Sequence, residues 1–144
     1  MRALVVLVAA VALTLPAPAL AATPVRTYAG QSSTGTDVGF KLSGGYVRGF
    51  AIGYEARCDD GETLRGTFRF KPAKVTEGRW SVNGPGSGKL PDGRATASKL
   101  RLSGELSGRR AKGAFSITTQ MAKPGGDGVA TCRSGRVTWK ASRP

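Results

Sequence analysis

The chain has 144 residues, with 22 lysines and arginines against nine aspartates and glutamates, no histidine and a net charge of +13. That length holds one domain with a core of its own. The missing histidine removes the commonest general base, proton shuttle and zinc ligand at once, and the positive charge favours polyanionic partners.

Arg2 gives the chain a short basic start, and an apolar run follows from Ala3 to Leu15, broken only by Thr14. Pro16 and Pro18 end it, and Ala19-Leu20-Ala21 supplies small residues where a signal peptidase reads. A spanning helix needs about 20 apolar residues, more than this run contains. Residues 1–21 therefore read as a secretory signal peptide cleaved after Ala21, with Ala22 as second choice. Residues 22–144 read as a single secreted β-domain with no membrane span, destined for the medium or the cell envelope.

Past this segment, alternation with period two replaces any helical pattern. Val38, Phe40 and Leu42 alternate with Gly39 and Lys41. No simple register across the Ser43–Tyr46 turn keeps both faces clean, so a bulge is expected near Arg48-Gly49. Phe50, Ile52, Tyr54, Ala56 and Cys58 then alternate with polar or small neighbours. Asp59-Asp60-Gly61 suits a three-residue loop with Gly61 left-handed. It pairs Ala56 with Leu64, Ile52 with Phe68 and Phe50 with Phe70, and sets Glu55 against Arg65. Trp80 and Val82 form a short run, and residues 83–96 read as an exposed loop.

Leu100, Leu102 and Leu106 lead into a two-residue turn at Gly108-Arg109. This register pairs Leu106 with Ala111, Leu102 with Phe115, Leu100 with Ile117 and Glu105 with Lys112. Gly104 falls opposite Gly113 on the core face, leaving room for an aromatic, Phe115 or Phe68. Residues 120–128 read as a second exposed loop. Ser134-Gly135 reads as a two-residue turn pairing Cys132 with Val137 and Ala130 with Trp139. The fold class is all-β: an antiparallel β-sandwich or flattened β-barrel of about eight strands, one face wet, with one disulfide.

Cys58 and Cys132 are the only cysteines. In an exported chain an even count reads as a disulfide. The bridge closes a loop of about 75 residues, worth roughly 4 kcal/mol in the chain-entropy account. A cysteine nucleophile would want a histidine base, which the chain lacks.

Gly84-Pro85-Gly86-Ser87-Gly88-Lys89 has neither the spacing nor the following Ser or Thr of a phosphate loop. Asp59, Asp60 and Glu62 are oxygen donors for a cation, but Asp-Gly is ordinary turn chemistry. No metal site, cofactor or catalytic residue is expected. Glu55, Glu77, Asp92 and Glu105 are the carboxylates available to a hydrolase that needs two of them.

The basic surface is the remaining signal. Lys99, Arg101, Arg109, Arg110 and Lys112 belong to one hairpin, and Arg57, Arg65 and Arg69 to another; these eight are the candidate polyanion-binding residues. The expected function is that of a secreted non-enzymatic β-domain contacting anionic envelope or extracellular polymers through them. The alternatives are an inhibitor or protein-interaction domain that holds a protein partner with residues 83–96 or 120–128, and a barrel holding a small ligand.

Three stretches carry a resemblance: Tyr28-Ala29-Gly30-Gln31-Ser32-Ser33, Cys58-Asp59-Asp60-Gly61, and Cys132 through Ala141 (Cys-Arg-Ser-Gly-Arg-Val-Thr-Trp-Lys-Ala). In these the chain resembles a family of small secreted β-rich proteins of unknown function from high-GC Gram-positive bacteria. The resemblance implies a β fold and a disulfide and carries over no catalytic residue.

Overall fold

The computed structural model describes residues 21–144. The signal-peptide reading, apart from Ala21, lies outside the described residues. Ten strands follow in chain order: β1 (Arg26–Ser32), β2 (Asp37–Ser43), β3 (Tyr46–Cys58), β4 (Thr63–Arg69), β5 (Ala73–Lys74), β6 (Arg79–Lys89), β7 (Ala95–Ser107), β8 (Arg110–Ala122), β9 (Val129–Arg133) and β10 (Val137–Ser142). All pairings are antiparallel.

The order β10-β1-β2-β3-β9-β8 is closed by pairing of β10 with β8, which makes a six-strand barrel. β7 and β6 extend it beyond β8, and β4 and β5 flank β3. Ten strands replace the expected eight because two passes are interrupted. β4 and β5 both run along β3 and part at Phe70–Pro72, where proline lacks a ladder N–H. β9 and β10 both run along β8 and part at Ser134–Arg136.

That last arrangement corrects one expected hairpin. Ser134-Gly135 does not fold β10 back on β9, so Cys132 does not face Val137. Gly135 takes a φ of 66°, and the chain bends while staying on the same edge of β8. Val137 lies opposite Phe115, and Cys132 opposite Thr119 and Cys58. The bend keeps Val137, Trp139 and Ala141 inward without spending a turn, which is why local turn chemistry misled.

The other two hairpins fold in the registers read from sequence. Ala56 meets Leu64 and Glu55 meets Arg65 around Gly61, which has a φ of 88°. Leu102 meets Phe115 and Gly104 meets Gly113 around Gly108. The register shift between Gly39 and Lys41 sets the extra residue on β3 beside Gly49, whose φ is 59°. Cys58 and Cys132 form the disulfide across β3 and β9.

The first expected loop, residues 83–96, is mostly strand, and the second, residues 120–128, is strand only at its start. β6 pairs with β7 without a break from Arg79 to Lys89, leaving only residues 90–94 as a turn. β8 continues to Ala122, leaving residues 123–128. Pro85 is tolerated because β6 ends the strand order. Gly86 is there for space: a Cβ on it would sit 3.2 Å from Phe68 Cζ. Glycine and proline report on edges and close approach here, not on a loop.

Most inward residues meet in one aromatic core, and Ala56, Leu64, Met121, Ala130 and Cys132 form a second, smaller cluster by the disulfide. Phe40 stacks on Tyr28 at 4.8 Å, and Phe50 packs against Trp80 at 5.1 Å and Trp139 at 5.3 Å. Tyr28 keeps its hydroxyl satisfied by donating to the Gly108 carbonyl at 3.1 Å. The indole N–H groups of Trp80 and Trp139 are buried with no hydrogen-bond partner among the described residues. Each unpaired donor costs about 1–3 kcal/mol. Burying a ring of about 200 Å² returns on the order of 5 kcal/mol, so packing wins.

Candidate polyanion-binding surface

The Gly104–Gly113 pair shapes both sides of the sheet. On the inside, a Cβ on Gly104 would overlap the Trp80 ring, and one on Gly113 would overlap the Ser103 carbonyl and the Trp139 ring. The space expected for Phe115 or Phe68 is thus taken by the two tryptophans. On the outside, Ser103 and Ala114, each next to one of these glycines, are small, and a trough of about 860 Å³ opens across β6, β7, β8 and β10.

Register places the residues of that trough in rows. Ser81 faces Ser103, Ser103 faces Ala114, and Ala114 faces Thr138. This floor crosses four strands, about 14 Å at ordinary strand spacing. Two residues away on one side runs Arg79–Glu105–Lys112–Lys140. Two residues away on the other runs Asn83–Arg101–Ser116, with Arg136 lining the same hollow. Each charged row therefore stands about 7 Å from the floor.

Five cations flank the floor: Arg79, Lys112, Lys140, Arg101 and Arg136. Lys74 lines the trough at one end, and Arg110 lines the neighbouring hollow. None of these joins an ion pair among the described residues, where the pairs are Arg65–Glu55, Arg94–Glu62 and Arg94–Asp92. Glu105 does face Lys112 in register, but Arg79 faces it from the other side and no contact closes.

The eight residues chosen from sequence are all exposed, yet they do not form one site. Lys112 lines the trough, Arg101 lines the adjoining hollow beyond Ser103 together with Arg136, and Arg110 lines the hollow beside Lys112. Lys99 lies on the next outward row, Lys99–Thr118–Arg133–Arg57, so Arg57 continues the same basic face. Arg109 sits in the β7–β8 turn. Arg65 is held by Glu55 at 2.9 Å, and Arg69 lies on β4 opposite Ala51; neither lines the trough. Arg79, Arg133, Arg136 and Lys140 were missed. The signal for Lys140 was the alternation Val137-Trp139-Ala141, but reading β10 as a hairpin with β9 took it away from Lys112.

The β6–β7 turn is clamped. Arg94, its side chain only 15% exposed, binds Glu62 at 2.8 Å, Asp92 at 2.7 Å and the Ala122 carbonyl at 3.0 Å. The Glu62 and Asp92 carboxylates hold the Arg94 guanidinium above its ordinary range. The Arg94 backbone N–H and then its side chain hold the Asp92 carboxyl below the usual carboxylate range.

No family model matches the chain, and no curated protein matches it; the family resemblance stands on the three short stretches alone. Among the described residues no helix is long and apolar enough to cross a membrane, and no cluster of three His, Cys, Asp or Glu residues is placed to hold a metal.

Proposed function

We propose that the protein is a secreted, non-enzymatic binding domain that holds an anionic polymer of the envelope or extracellular space across the outer face of β6, β7, β8 and β10. The observation that carries this reading is the pair of basic rows on either side of a floor of small residues, with none of their cations tied up in an ion pair. The rows stand on strands paired along their length, so the cations need little ordering of the backbone when they bind. Among the described residues Glu105 is the one carboxylate lining the trough, where hydrolysis by carboxylates alone would need two. The disulfide is consistent with an exported protein.

The alternatives find less support. Of the two segments offered as inhibitory loops, residues 83–96 are mostly ladder and the turn left at residues 90–94 is clamped by Arg94, while residues 123–128 remain a short exposed turn. The interior is filled by Tyr28, Phe40, Phe50, Phe115 and the two tryptophans, all buried. The test is binding to an immobilised polyanion as salt is raised, comparing the natural protein with R101Q/R136Q and with R65Q/R69Q. The first variant is expected to weaken binding and flatten its salt dependence, and the second to leave both nearly unchanged. Equal losses from the two would mean diffuse charge and no trough.

A further inference from the structure

We infer that the polymer in the trough is a hydroxyl-rich, non-aromatic chain carrying its charges on a sugar or polyol backbone, and that Glu105 fixes where those charges lie. The inference rests on the polyanion reading above and narrows it. The floor is the first reason. The Ser81, Ser103 and Thr138 side chains are exposed, and among the described residues their hydroxyls make no intramolecular hydrogen bond. A hydroxyl both donates and accepts, so a line of three matches a chain that presents hydroxyls in series.

The missing platform is the second reason. Single-stranded nucleic acid is held by bases stacked on exposed aromatic rings. Among the described residues the exposed large apolar side chains are Val25, Tyr46 and Val129, and none lines the trough. The two tryptophans beneath it turn their rings to the core.

Glu105 supplies the third. It stands between Arg79 and Lys112 in the middle of one wall. An anionic group beside it is repelled, while a hydroxyl there can donate to its carboxylate. Anions settle instead near Lys112 and Lys140, and on the far wall near Arg101 and Arg136, which are two strands apart, about 10 Å. Such a wall suits charges separated by neutral, hydroxylated stretches better than a charge on every unit.

The test is titration of the disulfide-bonded protein, at one ionic strength, with polygalacturonate, poly(glycerol phosphate) and poly(dT) of matched charge number. At least one of the two hydroxylated polymers is expected to bind about tenfold tighter than poly(dT), as three hydrogen bonds of modest net worth allow. Whichever binds more tightly identifies carboxylate or phosphodiester as the anion. The triple variant S81A/S103A/T138V is expected to erase that preference while leaving poly(dT) binding unchanged. The natural protein is expected to bind half-methyl-esterified polygalacturonate more tightly than the fully charged polymer, and Glu105→Gln to reverse that order; a natural protein that prefers the fully charged polymer overturns the role given to Glu105. Poly(dT) binding as tightly as both other polymers, or a preference that survives the triple variant, overturns the inference and leaves the polyanion site standing. Binding of none of the three polymers removes the polyanion reading itself.

Discussion

Gly104 and Gly113 show how much one absent side chain can decide. They face each other in the β7–β8 ladder, and the space each leaves is filled by an indole ring. Gly113→Ala would drive a methyl group into the Ser103 carbonyl and Trp139, and backbone cannot step aside as a flexible side chain can. Overpacking of this kind costs about 3 kcal/mol or more. The melting temperature should fall by roughly 10 °C, checked by thermal unfolding; a loss of a degree or two would mean that the sheet relaxes freely. The pair was readable from register and its purpose as space for an aromatic was too. Which aromatic fills it was not, because Trp80 and Trp139 reach these glycines from strands whose placement the local sequence does not encode. At the same scale, the depressed Asp92 carboxyl contributes stability above the usual carboxylate range, and this is lost as pH falls through its folded value. Burial raises the Tyr54 phenol, so its contribution holds below about pH 10 and is lost as pH rises through the folded value. In Arg94→Gln the acid limb of the stability profile should shrink while the alkaline limb stays, measured as melting temperature against pH.

At the scale of elements, alternation and turn chemistry placed the β3–β4 and β7–β8 hairpins in their correct registers, because each is a local contest that one glycine-bearing turn decides. The same logic failed for β9 and β10. Ser134-Gly135 has the composition of a hairpin turn, but Ser134 is spent otherwise: its hydroxyl accepts from the Ile117 N–H at 3.0 Å, and its own N–H donates to the Ile117 carbonyl at 3.1 Å. Those bonds tie the bend to β8 and keep the two strands on one edge. The disulfide then fixes β9 to β3, across a separation of 74 residues. Replacing both cysteines by alanine should cost about 2–5 kcal/mol, read as a lower denaturant midpoint. Because β3 and β9 pair at only two positions, amide exchange should rise first around Arg57 and Arg133. Uniform loss of protection would show that the clasp steadies the barrel as a whole.

Seen as a whole molecule, the surplus charge gains direction from the fold. A chain with a net charge of +13 attracts polyanions without any fold, but spread charge gives weak and unspecific contact. Barrel closure sets β10 beside β8 and so brings Lys140 and Arg136 to the trough that Arg101 and Lys112 already border. If the five flanking cations each meet an anion, the salt slope is about −3.5, and affinity should drop about a hundredfold between 50 and 200 mM salt. R101Q/R136Q should lower the slope by about 1.4. A slope near zero by titration calorimetry or filter binding would sink the polyanion reading.

What the chain decided by itself was local or compositional. The disulfide was legible as an even cysteine count, the all-β class as period-two alternation, and two hairpins as single turns. Four of the candidate cations, Arg57, Lys99, Arg101 and Lys112, were also readable, since outward positions are fixed once a strand's inward face is known. Only the tertiary structure decided which strands become neighbours. Closure of the barrel, the continuous β9–β10 edge along β8, and the meeting of Trp80 and Trp139 over two glycines are all contacts between residues far apart in sequence. Their free energy comes from burying apolar faces, which is non-directional and leaves no mark on the order of residues along the chain. The trough inherits that origin: its walls come from the consecutive strands β6, β7 and β8 and from β10, which only the closed sheet sets beside them.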